Sequence, residues 1–420
     1  MPPSLTPGEH DKDGQEPGTL FRGQVGPILL LTLIFFINFL ARIILAPLLP
    51  AIERDLHLDH GEAGALFLLI SLGYCTSLLG SGFVSSRLTH RSTILLSALS
   101  AGITILFLPF ASHLWQLQFA LVALGLATGL YLPSGIATLT SLIPARHWGK
   151  GIAIHEVAPN LCAVVAPLIC EALLPWFSWW TILALIGGAS MIAGAAFFRY
   201  GAGGSFLGQP PSVSSFRIIL TEPRFWTMTV LFSLAIGASL GVYTMFPLFL
   251  VAERGMDRSS ANTLVGLSRL SGLGAVFVAG WAADRISPRR IMCWAFLLTG
   301  ALTLLMGAVP GYWIGGAFFL QQLLSVCFFP AGLAALSAIG PSHSRNLAVS
   351  LSIPVAFLVG GGLTPALIGF MGDTGSFARG ILLVGGLILF GSTLCRHAGA
   401  PDQRDTQATT GDPPPTRGSR

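Results

Sequence analysis

Two arginines lie deep within long apolar runs of the sequence. Arg42 stands eight residues before Pro50, and Arg269 stands nine residues into a run that begins at residue 260. At about 1.5 Å per helical residue, both guanidinium groups lie about 12–13 Å inside an apolar layer. A charge at that depth is costly and by default indicates function. A guanidinium is a bidentate fork for carboxylate or phosphate, so the two residues predict an anion site.

Each arginine has an alternative role. It could pair with a carboxylate or with helix carbonyls, or extend to the membrane surface. Glu53 and Asp55 are candidate partners for Arg42, because they lie near the same end of its run. Asn38 precedes Arg42 by four residues and therefore shares its helix face. Its amide could hold the guanidinium or a substrate oxygen, or could serve only in helix packing.

A second ionisable pair, His155 and Glu156, lies near the start of another apolar run, about 8 Å in from that end. Glu156 and Asn160 are four residues apart and share a face, and Pro159 between them can bend the helix. A buried glutamate beside a histidine can take up and release a proton near neutral pH. The pair predicts a proton-coupling site, with Asn160 beside the substrate. The alternative is a structural pair that ties this helix to its neighbours.

Three uncharged polar residues, Tyr131, Tyr243 and Gln321, stand at similar depth in other apolar runs. They are further candidate substrate contacts. Interhelical hydrogen bonding is the alternative, because polar side chains commonly join helices in membranes.

Two short charged connections repeat each other. The stronger one reads G-W-A-A-D-R-I-S-P-R-R, and its first glycine predicts a close approach of two helices. A shift of 198 residues carries it onto a weaker copy, and the same shift carries Pro365 onto Pro167. The chain is therefore predicted to be two homologous halves. The predicted gating residues are Gly82, Arg87 and Arg91 in the first copy and Gly280, Asp284, Arg285, Arg289 and Arg290 in the second.

Composition places the chain in a membrane. Of 420 residues 53% are hydrophobic and 10% are charged, whereas a soluble domain has about 25% charged residues. The net charge of +5 is dispersed over short loops, which argues against a nucleic-acid surface. The six cysteines form no C-x-x-C pair and are expected to pack as small apolar residues. Without a metal-ligand cluster, nucleophile elbow or phosphate loop in the sequence, we expect no enzyme activity, metal or cofactor.

The apolar runs predict an all-α membrane protein with twelve transmembrane helices. Each run is near or above the roughly 20 residues that span hydrocarbon, and none alternates as a barrel strand does. The predicted spans are 25–50, 62–84, 92–112, 114–138, 150–173, 176–198, 224–250, 260–283, 291–310, 312–336, 344–370 and 377–395.

Loop charges predict the orientation. With the N-terminus inside, thirteen arginines and lysines lie near the inner surface and four near the outer one. Both termini are therefore predicted to be cytoplasmic. The predicted organisation is a disordered tail (1–20), a six-helix bundle (21–198), a cytoplasmic linker (199–223), a second six-helix bundle (224–397) and a second disordered tail (398–420).

Two six-span halves, a central linker and the G-x-x-x-D-R-x-x-x-R-R loop resemble the major facilitator superfamily over about residues 22–397. The first loop copy departs from the pattern, because Ser86 stands where the family usually has aspartate. The resemblance implies that spans one, four, seven and ten line a central cavity that span eight also reaches. This pattern, an arginine in span one and another in span eight, is similar to the pattern of cationic residues in proton-linked organic-anion and monocarboxylate carriers. Those carriers often have an aspartate where this chain has Val265, so the proton site is predicted at Glu156 and His155 instead.

These features together predict a monomeric secondary transporter of the inner membrane. Its expected partners are the lipid bilayer, a small organic anion held by Arg42 and Arg269, and a proton, with symport as the expected mode. The alternatives are a proton-driven exporter of drugs or metabolites, an exchanger of inorganic or phosphorylated anions, and a membrane scaffold or sensor.

Overall fold

A computed structural model describes residues 17–111, 113–209, 219–309, 311, 313–339 and 345–398, without the side chains of 17–22, 273, 276, 277, 283, 284, 345, 346 and 396–398. Both predicted tails lie largely outside these residues. The first helix begins at Pro17, inside the segment predicted to be disordered. Proline fits the first turn of a helix because its missing N–H would be unbonded there anyway.

Eleven helices in the described part of the chain are long and apolar enough to cross a membrane. The eighth predicted span is a helix pair, Arg258–Ser268 and Leu270–Arg285, interrupted at Arg269. We number the spanning helices α1 to α12, with this pair as α8. The other bounds are α1 Gly23–Leu56, α2 His60–Arg87, α3 His90–Phe110, α4 Leu114–Leu142, α5 Ala145–Leu173, α6 Trp179–Tyr200, α7 Pro223–Ala252, α9 Pro288–Ala308, α10 Trp313–Ser337, α11 Leu347–Asp373 and α12 Phe377–Cys395.

Helix geometry changes at two π-helical segments in the second half, and only the first of them has a matching interruption in the first half, because α5 stays α-helical past Pro159. α7 contains a π-helical segment, Gly237–Gly241, and α11 contains another, Phe357–Leu363. Shifted back by 198 residues, the α7 segment falls on residues 39–43, just before α1 turns at Ile44. The α11 segment falls on residues 159–165, which begin at Pro159 of α5. Broken helices expose backbone carbonyls, and in transporters such carbonyls border the substrate site.

α7 forms the centre of the molecule. In its most apolar stretch 83% of the residues are buried. In the other ten uninterrupted spanning helices, which leave out the pair that forms α8, this share is at most 61%. Its neighbours include α1 at one end, α8 beside it and α11 along its π-helical segment. The core is therefore continuous across the two halves rather than confined to each.

We call the end of the bundle that carries residues 200–209 and 219–223 the linker face, and the other end the opposite face. At the opposite face α2 and α11 touch through glycines, since a Cβ at Gly369 would lie 2.2 Å from the His60 carbonyl oxygen. The amides of His60 and Gly61 both donate to Asp373, each at 2.8 Å. Among the described residues, hydrogen bonds and ion pairs that join the halves lie at mid-depth or towards this face. The two halves are closed against each other at the opposite face.

Candidate functional site

Arg42 has no carboxylate partner among the described residues. Its guanidinium carbon lies 4.0 Å from the ring centroid of Tyr74 and 5.0 Å from that of Phe39. Its Nε is buried and makes no hydrogen bond. The two carboxylates expected nearby are bound elsewhere, because Glu53 contacts His60 and Asp55 accepts from Trp179 Nε1 at 3.0 Å. Aromatic faces stabilise a guanidinium but leave its N–H groups free for a ligand.

A small cavity of about 40 Å³ adjoins Arg42 between the two halves. This volume exceeds the roughly 10–15 Å³ that one water molecule needs by the same measure. The guanidinium is its one charged wall, and Ser71 and Thr244 supply hydroxyls. The remaining lining is apolar or glycine: Phe39, Ile43, Phe67, Ile70, Leu240, Phe357 and Gly361.

Arg269 occupies the turn between the two segments of α8. Its Nη2 donates to the carbonyl oxygen of Ser239, in the π-helical segment of α7. Its guanidinium carbon lies 4.5 Å from the ring centroid of Tyr243, and its Nε is buried without a hydrogen bond. Like Arg42, it is therefore held by an aromatic ring and has a free buried donor.

The same stretch of α5 adjoins both arginine environments. The Tyr243 hydroxyl donates to the Ala163 carbonyl oxygen at 2.8 Å. The neighbouring thiol of Cys162 lies within electrostatic range of Arg42 and of Tyr243. Tyr243 packs against Arg269, so α5 contacts the ring that holds Arg269 and also lies near Arg42, but the cavity beside Arg42 is not lined by Arg269.

Asn38 and Gln321 take packing positions. The amide of Asn38 donates to Ser97 Oγ at 3.3 Å and to the Thr128 carbonyl at 3.2 Å, joining α1 to α3 and α4. Gln321 Nε2 donates to the Ala238 carbonyl at 3.0 Å in the π-helical segment of α7. Both side chains are buried and use their donors within the fold. Both amides therefore serve in packing in this conformation, and their contact with a substrate stays a prediction.

His155 and Glu156 lie together as predicted from their spacing, but in different surroundings. His155 is fully buried, and its Nε2 lies 3.1 Å from the Tyr131 hydroxyl. Its Nδ1 makes no hydrogen bond and lies 3.5 Å from Glu156 Oε1. The Glu156 side chain is 48% exposed, so it can exchange protons with water while His155 cannot do so directly.

Asn160 stands one helical turn beyond this pair. Its amide donates to the Glu156 carbonyl at 2.9 Å within α5, and the residue is exposed. Tyr131 is fully buried against His155. Of the two, Asn160 is the residue that retains an accessible polar group for a substrate.

The predicted gating loops differ between the halves. Arg91 Nη1 donates to the Gly201 carbonyl at 2.8 Å and Nη2 donates to the Phe198 carbonyl at 2.9 Å, so Arg91 caps the end of α6. In the second copy, the Arg285 guanidinium lies 4.7 Å from the ring centroid of Trp281. The side chain of Asp284 lies outside the described part, so its gating role stays a prediction.

Gly280 does not make the predicted close approach. Among the side chains that the structure describes, a Cβ at this position would meet only Pro330 Cβ, at 3.9 Å, which is an ordinary contact. The close crossing occurs in the first half instead, where a Cβ at Gly73 would lie 2.1 Å from the Val122 carbonyl oxygen. Spacing within a loop motif gives no information on which helix faces a given glycine, and tertiary packing decides this.

Sequence reasoning missed an ion pair between the halves at the opposite face. Glu171 of α5 accepts from Arg258 Nε at 3.0 Å and from Arg258 Nη2 at 3.4 Å. Asn262 donates to the same carboxylate at 2.6 Å and to the Pro47 carbonyl at 3.2 Å. The residues lie far apart in the sequence at the ends of apolar runs, where charges are ordinary, so no local pattern identified them.

Comparison with known proteins agrees with the fold. The family model of the Major Facilitator Superfamily matches residues 31–277 and 241–417. A gallate transporter of Pseudomonas putida is 23% identical over 330 residues, covering 70% of this chain and 73% of the relative. A probable nitrate/nitrite transporter, NarK2, of Mycobacterium tuberculosis is 24% identical over 324 residues, covering 73% and 78%.

A solved structure gives the same answer for the fold. A bacterial homologue of the human lysosomal transporter Spinster, in an inward-facing and occupied conformation, superposes with a TM-score of 0.77 at 15% identity. The superposition covers 93% of this chain and 99% of that one. The helical fold, the repeated charged loops and the family match agree, and the chain belongs to the Major Facilitator Superfamily of membrane transporters.

Proposed function

We propose that this protein carries a small organic anion across the inner membrane together with a proton, by alternating exposure of a central site. The observation that supports this most directly is the pair of partly buried arginines, one in each half, each with a buried Nε and no carboxylate partner among the described residues. Removing an unpaired charge from water costs roughly several kcal/mol. An anion bound at these two arginines would therefore stabilise them.

Charge at mid-depth supports anionic cargo. With Arg42, Arg269 and Glu156 ionised and His155 neutral, these four groups sum to +1. A proton on Glu156 raises the sum to +2 and strengthens attraction for an anion. Proton and anion binding at this site would therefore favour each other, as symport requires. The transport of gallate by a relative agrees with a carboxylate cargo.

The orientation in the proposal follows the positive loop charges, which put the linker face and both termini in the cytoplasm. Since the halves are closed at the opposite face, the proposed conformation is the one that releases cargo inward. Asp284, Arg285, Arg289 and Arg290, with Gly82 and Arg87, remain the proposed gating residues on the inner side.

Uptake into proteoliposomes tests the proposal, with labelled gallate and aliphatic monocarboxylates as probes. We expect an inward acid gradient to drive accumulation. Glu156→Gln should retain exchange of internal for external anion but lose acid-driven accumulation, because a glutamine side chain cannot bind and release a proton. Glu222→Gln, an acid at the linker-face start of α7, serves as the matched control. Unchanged acid-driven uptake in Glu156→Gln would remove Glu156 from proton coupling.

An inorganic anion is the second candidate cargo. The nitrate/nitrite relative and the small volume of the cavity beside Arg42 favour it. Nitrate is planar and can accept a bidentate guanidinium as carboxylate does. Nitrate-for-nitrite exchange without dependence on an acid gradient, in the same proteoliposomes, would support this candidate over the organic-anion symporter. Anion binding without any transport would instead indicate a sensor.

A further inference from the structure

The hydrogen bonds around Tyr131 determine which nitrogen of His155 carries its proton. The Tyr131 hydroxyl lies 2.7 Å from the Leu31 carbonyl oxygen and 3.1 Å from His155 Nε2. A carbonyl oxygen only accepts, and a tyrosine has one hydroxyl proton to donate. That proton therefore belongs to the bond with Leu31, and the Tyr131 oxygen accepts from His155. It follows that Nε2 carries a hydrogen in both the neutral and the charged imidazole.

The opposite nitrogen is then the one left free to accept a proton. Neutral His155 has a bare Nδ1, which lies 3.5 Å from Glu156 Oε1 and makes no hydrogen bond. Ring rotation is restricted, because Phe35 stacks on the imidazole at 4.4 Å with the planes 8° apart and Tyr131 lies parallel at 5.9 Å. The free lone pair is thereby held on the side of the exposed carboxyl group.

We propose that Tyr131 is the positioning residue of the proton site, and that it holds His155 in the Nε2–H form so that Nδ1 exchanges a proton with Glu156. In this exchange the Glu156 O–H bond breaks as an Nδ1–H bond forms, and the reverse transfer returns the proton to Glu156 and then to water. The inference rests on the proposed proton coupling, to which it adds the identity of the nitrogen and the residue that selects it.

The surrounding groups connect this proton to the anion site. The charged or titratable groups around His155 are Glu156 on its own helix and Tyr131 from α4, and Phe35 of α1 brings no charge. Phe35 precedes Arg42 by seven residues, so both lie on one face of α1. Tyr74, which packs on Arg42, lies within electrostatic range of Glu156. A change of charge at the His155–Glu156 pair therefore acts on the helix and on the ring that hold Arg42.

Nitrogen NMR of the whole protein labelled in its histidine rings tests the inference, since protonated and bare ring nitrogens resonate far apart. His155→Gln identifies the signal among the nine histidines. We expect the neutral ring of wild-type His155 to be in the Nε2–H form, and Tyr131→Phe to give a mixture of tautomers. The pH of half-maximal uptake should fall by about one unit in Tyr131→Phe, because the lost bond to the Tyr131 oxygen is stronger for the charged ring than for the neutral one. Tyr200→Phe, exposed at the linker face, is the control.

An Nδ1–H form in the wild type, or one unchanged tautomer with an unchanged pH profile in Tyr131→Phe, would overturn the inference. The wild-type spectrum decides the first point even if Tyr131→Phe fails to fold. Failure of the proposed function would be seen separately. If Glu156→Gln retained acid-driven uptake, proton coupling through Glu156 would be refuted, whereas the wild-type tautomer of His155 would be unchanged.

Discussion

At the level of single residues, the unusual feature is a pair of partly buried arginines that pack on aromatic rings instead of pairing with carboxylates. An arginine fully paired with a buried acid would be neutral to an approaching anion and would need that ion pair to break. Tyr74 and Tyr243 stabilise the guanidinium groups through their π faces and leave N–H donors unused. Aromatic support therefore preserves the capacity of both residues to bind cargo.

Arg269→Ala should weaken anion binding by about 100-fold or more, because a charge-assisted hydrogen bond in a site shielded from water contributes about 2–5 kcal/mol. Arg269→Lys should restore little, since an ammonium cannot donate to Ser239 and to an anion in the planar fork of a guanidinium. Isothermal calorimetry with gallate measures both variants. Arg379→Ala, an exposed arginine at the opposite face, is the matched control. Wild-type affinity in Arg269→Ala would refute the anion site.

At the level of the helices, interruptions stand beside the residues proposed to act. α8 breaks at Arg269, α4 turns at Leu130 just before Tyr131, and α1 turns at Ile44 just after Arg42. The π-helical segment of α7 presents the Ala238 and Ser239 carbonyls to Gln321 and Arg269. A regular helix would bond these carbonyls internally, so the break is what allows other helices to donate to them.

Close helix contacts should control which face is open. A Cβ at residue 369 would lie 2.2 Å from the His60 carbonyl oxygen, and a backbone oxygen cannot rotate away. Gly369→Ala should therefore separate α2 from α11 and destabilise the closed opposite face by about 1–3 kcal/mol. The His60 and Gly61 amides donate hydrogen bonds to Asp373 in the closed form. Hydrogen exchange at these two amides therefore measures opening of the face.

Gly386→Ala in α12 is the control for this substitution, because a Cβ there meets nothing within 4 Å. Exchange at His60 and Gly61 should match the wild type in that variant. Equal exchange in Gly369→Ala and the wild type would show that the α2–α11 contact does not hold the face closed.

At the level of the whole molecule, the opposite face is joined by polar contacts that must break when it opens. Glu171 and Arg258 come from different halves, and Asn262 links both to the Pro47 carbonyl. Asp257 begins α8 beside them, and hydrogen bonds from the Ser260 hydroxyl and backbone N–H lower the pKa of its carboxyl group. The cap keeps Arg258 at a defined helix start, where it reaches Glu171.

A double-mutant cycle measures this ion pair. Glu171→Gln and Arg258→Gln should each favour opening of the opposite face, with a coupling free energy of about 1 kcal/mol, since the arginine is partly exposed. The His60 and Gly61 amide exchange rates supply the free energies. Arg54→Gln, which removes an exposed pair with Asp55 within one half, should change nothing. A coupling near zero would mean that the pair is incidental to closure.

The sequence by itself determined the class of molecule. Continuous apolar runs must form helices in lipid, since every backbone group has to bond internally, and the 198-residue repeat fixed two related halves. It also found Arg42, Arg269, His155 and Glu156, because charges in apolar runs stand out without any knowledge of packing. Tertiary structure alone decided what each polar group touches. The amides of Asn38 and Gln321 donate to other helices, Gly280 contacts Pro330 only at an ordinary distance, and Glu171 pairs with Arg258, because these contacts depend on which faces of distant helices meet.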